Sequence, residues 1–89
     1  MIRSVKVNIY GKVQGVGFRY SAIQKANEIG IKGFVKNRSD ASVFMEIEAE
    51  SELVDEFILW CKKGPTWSDV DNVVVVDIPF NNYKDFSIK

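Results

Sequence analysis

Residues 11–19 read GKVQGVGFR and join an alternating strand pattern to a helical pattern. Glycine adopts positive φ angles without steric cost, so Gly15 and Gly17 allow backbone N–H groups to turn toward one point. A helix that begins at Phe18 or Arg19 adds its unpaired N–H groups and the positive end of its dipole. The Arg19 guanidinium can bind two oxygen atoms at once. The combination favours a phosphoryl ligand, but a short glycine loop with one arginine is equally typical of a plain strand-to-helix connection.

The segments on either side of this loop have clear periodicities. Before it, residues 3–10 alternate between apolar and polar side chains, which predicts a half-buried strand with Val5, Val7 and Ile9 facing the core. After it, apolar side chains recur at steps of three and four residues, which predicts an amphipathic helix. Its apolar stripe consists of Phe18, Ala22, Ile23, Ala26 and Ile29. Gly30 follows, in the position that a left-handed helix C-cap favours.

Five further elements are predicted downstream. Strands over 31–37 and 42–49 form a hairpin across a turn at 38–41. A second helix takes Ser51 as its N-cap and ends at the Gly64-Pro65 pair. Its buried face consists of Leu53, Val54, Phe57, Ile58 and Cys61. A fourth strand over 70–78 and a short last strand over 85–88 complete the chain.

This order of elements predicts the fold class. A β-α-β-β-α-β chain with a short final strand is typical of the ferredoxin-like split β-α-β sandwich. It is an α+β fold in which a mixed, mostly antiparallel sheet carries two helices on one face. Right-handed crossovers place strand one parallel to strand two, with strand three antiparallel between them. The glycine loop and Asn37 then lie at the same edge of the sheet, two strand spacings or roughly 10 Å apart.

Asn37 is the polar side chain best placed to act on a phosphoryl group in the loop. Its carboxamide can accept a hydrogen bond from a water and hold that water in line for attack. Phosphoryl transfer to a good leaving group needs little beyond positioning and charge stabilisation. The alternative is a structural role, in which the asparagine stabilises the tight turn that follows.

Composition excludes several classes of protein. Twelve basic and twelve acidic residues cancel, which argues against a nucleic-acid partner. No apolar run approaches the roughly 20 residues that cross a bilayer, so we expect no membrane partner and a cytoplasmic location. The lone Cys61 lies in a helix stripe and is predicted to be a core residue. The absence of histidine removes the usual zinc sites and Ser-His-Asp triads.

Two segments resemble the signatures of the acylphosphatase family. GKVQGVGFR is similar, position by position, to GxVQGVxFR, and GFVKNRSDASV at 33–43 is similar to GxVxNxxDGxV. The resemblance continues through the second helix and its Gly-Pro ending, so residues 1–89 are expected to form a single acylphosphatase-like domain. Ala41 departs from the pattern, which has glycine there. We expect backbone strain of about 1 kcal/mol at Ala41, with the activity retained.

The resemblance implies a hydrolase of the acid anhydride class. Such an enzyme cleaves the carboxyl–phosphate bond of a small-molecule acyl phosphate to give a carboxylate and inorganic phosphate. Arg19 and Asn37 would be the catalytic residues, with Asn37 orienting the water. Phosphate would be bound by Gln14, Gly15, Val16, Gly17, Phe18 and Arg19. We expect no metal, no cofactor and a monomer.

Two other functions stay open at this point. The first is a binding module that keeps the phosphate site without turnover, similar to the N-terminal domain of larger carbamoyl-transfer proteins. The second is RNA binding, because RNA-recognition domains share the topology and KGFVKN begins like their RNP1 motif. That motif, however, belongs on strand three, and Lys36 and Asn37 stand where it needs aromatic residues. Trp60 and Trp67 are predicted to cover the ends of the core.

Overall fold

The computed structural model describes every residue from Met1 to Lys89. Its elements are β1 (Ile2–Lys12), α1 (Phe18–Ile29), β2 (Lys32–Asn37), β3 (Val43–Glu50), α2 (Ser51–Lys63), β4 (Asp69–Asp77) and β5 (Phe86–Ile88). The predicted order of elements is confirmed, and the ends of the elements differ from the prediction by no more than about two residues.

The strands form one mixed sheet in the order β4-β1-β3-β2-β5. As predicted, β3 lies between β1 and β2 and runs antiparallel to both. β4 pairs antiparallel with β1, and β5 pairs parallel with β2. This arrangement confirms the ferredoxin-like α+β fold.

The hydrophobic core lies between the sheet and the two helices. Side chains alternate across each strand, so Val5, Val7 and Ile9 all face the core from β1 and are fully buried. The helices contribute their apolar stripes, which comprise Phe18, Ala22 and Ala26 from α1 and Val54, Phe57 and Cys61 from α2. Val13 and Phe18 are both buried in this cluster. The core therefore fixes both ends of the loop between β1 and α1.

Gly11 belongs to a strand, whereas the sequence pattern placed it at the start of the loop. β1 continues through Gly11, which pairs with Val70 of β4 after a register shift. Its φ is 126°, and a Cβ atom there would lie 2.2 Å from the carbonyl oxygen of Asp69. Glycine is therefore required at this position by the close approach of β4.

The helix ends agree with the sequence at one cap and differ at another. Gly30 has φ 99° and donates its N–H to the Ala26 carbonyl oxygen at 2.8 Å, which confirms the predicted C-cap. The predicted N-cap of α2, Ser51, is wrong because β3 runs directly into the helix and Glu50 takes the cap position. The Ser51 N–H instead donates to the Met1 carbonyl oxygen at 3.0 Å.

The two tryptophans have different environments. The Trp60 ring lies 5.5 Å from the rings of both Phe18 and Phe57, centroid to centroid, and covers one end of the core as predicted. Trp67 is 78% exposed, so the same expectation for Trp67 is wrong. Trp67 lies in the turn between α2 and β4, beyond the helix stripe that faces the core.

The face of the sheet opposite the helices is crossed by residues 78–85, which we call the crossing segment. This segment connects β4 at one edge of the sheet to β5 at the other. The carboxylate of Glu48, a buried residue of β3, accepts hydrogen bonds from the Tyr83 N–H at 3.0 Å, the Asn81 N–H and Ser4 Oγ at 2.8 Å. Glu48 thereby attaches the crossing segment to the centre of the sheet.

Neither helix combines the length and the apolar character needed to cross a lipid bilayer.

Candidate active site

The loop at residues 13–17, between β1 and α1, has the conformation that its glycines predict. Gly15 and Gly17 have φ angles of 73° and 76°. A Cβ atom at either position would meet nothing within 4 Å. Glycine is therefore required here by the left-handed backbone conformation and not by lack of space. Any other residue would cost about 1 kcal/mol or more at each position.

The backbone N–H groups of this loop have no acceptors within the protein. None of the amides from Val13 to Gly17 donates a hydrogen bond to another residue. Gly17 is the N-cap of α1 and has no side chain to cap the first turn, and that turn contains no acidic residue. The unpaired N–H groups and the positive end of the helix dipole thus remain available to an anion.

Arg19 brings the only charged side chain to this site. It lies in the first turn of α1, is exposed, and makes no ion pair or hydrogen bond with the protein. Arg3, by contrast, pairs with Asp55 and Asp77. The guanidinium of Arg19 is therefore free to bind two oxygen atoms of a phosphoryl group.

Asn37 reaches the same site from β2. It is the last residue of that strand, and its Oδ1 atom is buried without a hydrogen-bond partner in the protein. A buried acceptor of this kind costs about 1–3 kcal/mol relative to a paired one. No other buried side-chain nitrogen or oxygen atom in the chain lacks a partner. The orphan atom marks a position where a donor from outside the protein would be bound.

The loop, the start of α1 and the end of β2 together form one pocket of about 240 Å³. Of the residues expected to form the site, Gln14, Gly15, Gly17, Phe18, Arg19 and Asn37 line it. Val16 does not line the pocket, because its side chain packs against the core. The remaining lining residues are Val13, Tyr20 and Ile88, none of which the sequence analysis singled out.

The side chain of Gln14 has a role that the sequence did not reveal. Its Nε2 atom donates to the carbonyl oxygens of Arg38 at 2.7 Å and Ser42 at 2.8 Å. These two residues flank the turn between β2 and β3, directly after Asn37. Gln14 therefore ties the glycine loop to the strand end that carries Asn37. Its partners are backbone atoms distant in sequence, so no residue pattern could have indicated this contact.

The turn after Asn37 is held by its own hydrogen bonds. Asp40 Oδ1 accepts from both the N–H and the Oγ of Ser42, and the hydroxyl hydrogen bond, ahead of the backbone one, lowers the pKa of Asp40. The Arg38 guanidinium lies 4.2 Å from the centre of the Phe44 ring. Ala41 has φ 73°, so the left-handed conformation expected at this glycine position is confirmed.

Cys61 takes no part in this pocket. It is fully buried in the core, as the helix stripe predicted, and burial raises the pKa of its thiol. An unionised buried thiol is a poor nucleophile.

Comparison with known proteins identifies the family. The acylphosphatase family model matches residues 5–88. An acylphosphatase of Caldanaerobacter subterraneus subsp. tengcongensis is 43% identical over 89 residues, covering 99% of each chain. A solved acylphosphatase from Coxiella burnetii superposes with a TM-score of 0.95 at 34% identity, covering 99% of this chain and 93% of that one.

A larger protein contains a similar unit. Full-length HypF, solved in a phosphate- and nucleotide-bound form, matches with a TM-score of 0.93 at 36% identity; the match covers 100% of this chain and 12% of HypF. The relative from Caldanaerobacter, in contrast, is matched over 99% of its own length. The chain belongs to the acylphosphatase family, and its enzyme class is that of the hydrolases that cleave acyl phosphates to a carboxylate and inorganic phosphate.

Proposed function

We propose that the loop pocket binds the phosphoryl group of the acyl phosphate and that Asn37 orients the water that attacks it. The backbone amides of Gln14 to Phe18 and the Arg19 guanidinium would hold the phosphoryl oxygens. The observation that carries the proposal is the buried, unpartnered Oδ1 of Asn37 in the same pocket as Arg19. A water that donates to Oδ1 would satisfy this acceptor and be placed beside the phosphorus atom.

The proposed reaction is a single displacement at phosphorus. The water oxygen forms a bond to phosphorus, and the bond between phosphorus and the acyl oxygen breaks. The electron pair of that bond leaves with the carboxylate, and the protons of the water stay with the phosphate and solvent. A carboxylate is a good leaving group, so no strong base is required. Arg19 and the loop amides stabilise the charge that develops on the phosphoryl oxygens.

We further propose that the enzyme acts as a cytoplasmic monomer without a metal ion and without nucleic-acid or membrane partners. The reaction chemistry and the composition of the chain support this proposal. Positioning and charge stabilisation from the loop are sufficient for a substrate with so good a leaving group. The buried free Cys61 suits a reducing compartment, and equal numbers of basic and acidic residues disfavour binding to nucleic acid.

The direct test is hydrolysis of benzoyl phosphate in the presence of a chelator. We expect the unmodified chain to turn over, and Asn37→Ala to lose about 100-fold to 1,000-fold in kcat, as for removal of one preorganised catalytic group. Asn27→Ala, at an exposed position of α1, is the matched control and should retain the native rate. Circular dichroism verifies that each variant is folded.

Three outcomes would contradict the proposal. Equal values of kcat for Asn37→Ala and the Asn27→Ala control would contradict the proposed role of Asn37. Loss of turnover on addition of chelator, restored by a divalent cation, would show that a metal is required. Stabilisation of the folded chain by phosphate without any turnover would favour phosphate binding alone, as in a unit of a larger protein.

A further inference from the structure

Two exposed apolar side chains stand at the rim of the loop pocket. Tyr20 is 65% exposed and Ile88 is 43% exposed, and both line the pocket together with Arg19 and Asn37. The other apolar lining residues, Val13 and Phe18, are buried in the core. Tyr20 and Ile88 therefore supply the apolar surface that a ligand in this pocket would cover.

The fold places these two side chains beside the reacting groups. Ile88 is the partner of Val35 in the parallel pair of β2 and β5, and Val35 lies two residues before Asn37. Alternation along the strands puts all three side chains on the same face of the sheet. The Lys89 N–H donates to the Val35 carbonyl oxygen at 2.9 Å, which holds the end of β5 next to β2. Tyr20 follows Arg19 in the first turn of α1.

Arg19 is the only charged residue in the lining of the loop pocket, and in the proposed function it is engaged by the phosphoryl oxygens. A carboxylate on the acyl group would find no second cation there. An apolar acyl group, in contrast, would remove part of the exposed surfaces of Tyr20 and Ile88 from water.

We infer that Tyr20 and Ile88 form a subsite for the acyl group and that the enzyme prefers acyl phosphates whose acyl group is apolar and larger than acetyl. This inference rests on the proposed function, because it requires the phosphoryl group to occupy the loop. It goes beyond that function by naming the chemical class of the acyl group and the residues that select it.

The test compares kcat/KM for benzoyl phosphate and acetyl phosphate in the unmodified chain and in variants. The two substrates differ in intrinsic reactivity, so the measured quantity is the change in their ratio and not the ratio itself. For both Ile88→Ala and Tyr20→Ala, the ratio of benzoyl to acetyl kcat/KM should fall about 10-fold, the effect of one apolar contact on specificity. Tyr20→Phe keeps the ring and should keep the preference.

Ile2→Ala is the matched control for Ile88→Ala. Ile2 is 51% exposed and begins β1, and it does not line the loop pocket. This variant should leave the ratio of the two substrates unchanged. Inhibition by inorganic phosphate, measured in parallel, reports whether the phosphoryl site is intact in each variant.

The outcomes separate the inference from the function on which it rests. A fall in the ratio with unchanged phosphate inhibition supports the acyl subsite. Turnover of both substrates with the same ratio in Ile88→Ala, Tyr20→Ala and the unmodified chain would overturn the subsite and leave the proposed function standing. Absence of turnover of both substrates by the unmodified chain would overturn the proposed function and the subsite together.

Discussion

At the scale of single residues, the chain tolerates two unfavourable features within five positions of one another. Asn37 leaves a buried oxygen atom unpaired, and Ala41 adopts a left-handed conformation. The first has a reason in the proposed chemistry, since a bound water would satisfy the oxygen. The left-handed conformation of Ala41 has no reason in the proposed chemistry, because Ala41 does not line the pocket. A substitution that removes the backbone strain at Ala41 should therefore leave the function intact.

We predict that Ala41→Gly stabilises the folded chain by about 0.5–1 kcal/mol, because glycine removes the Cβ strain at φ 73° but makes the unfolded chain more flexible. Urea unfolding of Ala41→Gly and of the unmodified chain measures this change in the free energy of unfolding. Ala26→Gly is the matched control, because it makes the same substitution within α1. This variant should destabilise the folded chain by about 1 kcal/mol or more. A destabilised Ala41→Gly protein would contradict this account of the turn.

At the scale of elements, the site depends on the distance between the glycine loop and the end of β2. β3 lies between β1 and β2 and sets that distance through the sheet. The side chain of Gln14 adds a second connection at the site itself, through its hydrogen bonds to Arg38 and Ser42. In the proposed mechanism, the Gln14 side chain would therefore position Asn37, while the Gln14 backbone N–H would bind phosphate.

We predict that Gln14→Met lowers kcat about 10-fold to 100-fold, because a misplacement of about 1 Å between reacting groups has an effect of that size. Methionine has a similar length but donates no hydrogen bond. Inhibition by inorganic phosphate should change much less, since the backbone of the loop is retained. Gln24→Met, on the exposed face of α1, is the matched control. An equal loss of kcat and of phosphate affinity would instead indicate a collapsed loop.

At the scale of the whole molecule, a buried carboxylate of the central strand β3 holds the segment that connects the two edges of the sheet. Glu48 binds the crossing segment, which delivers β5 and with it Ile88 to the pocket. Burial alone would raise the pKa of Glu48, but the hydrogen bonds from the Asn81 and Tyr83 N–H groups and from Ser4 outweigh it and hold the pKa below its usual value. The ionised form of Glu48 is therefore the one that stabilises the fold.

The sign of the pH dependence follows from that lowered pKa. Stability from Glu48 is fully present above the unfolded-state value of 4.5 and is lost as the pH falls through the lower folded-state value. We predict that Glu48→Gln is less stable than the unmodified chain by about 1–3 kcal/mol at pH 7, because its amide group meets backbone donors. The difference in free energy of unfolding between the two proteins should become smaller below about pH 4, because the Glu48 carboxylate becomes protonated there.

Urea unfolding between pH 7 and pH 3 measures this difference. Glu56→Gln, at an exposed position of α2, is the matched control and should follow the unmodified chain at every pH. Asp40, whose pKa is also lowered, contributes the same acid dependence to all three proteins. A constant difference between Glu48→Gln and the unmodified chain across this range would contradict the role assigned to the ionised carboxylate.

The sequence predicts the elements of this fold well because its periodicities are strong. The alternation of Val5, Val7 and Ile9 and the stripe of Phe18, Ala22 and Ala26 appear in the structure as the core. The predictions failed where a contact distant in sequence decides the local structure. β3 runs directly into α2, so Glu50 takes the cap position, and the Ser51 N–H donates to the carbonyl oxygen of Met1, which is distant in sequence.

The same distinction applies to the site. The φ angles of Gly15 and Gly17, and the presence of Arg19 and Asn37 in one pocket, were predictable from the glycine spacing and the order of strands. The side-chain contacts of Gln14 and the position of Ile88 were not. Both depend on which elements become neighbours in three dimensions, and Ile88 reaches the pocket only because β5 adds to the edge of β2.

The central claim is that water attacks the phosphorus atom of a substrate whose phosphoryl group lies in the glycine loop. The most direct measurement is enzymatic hydrolysis of benzoyl phosphate in water enriched in oxygen-18, with mass spectrometry of both products. We predict that the label enters the inorganic phosphate and that the benzoate contains none, because the bond between phosphorus and the acyl oxygen is the one that breaks. Label in the benzoate would show attack at the carbonyl carbon and would contradict the claim.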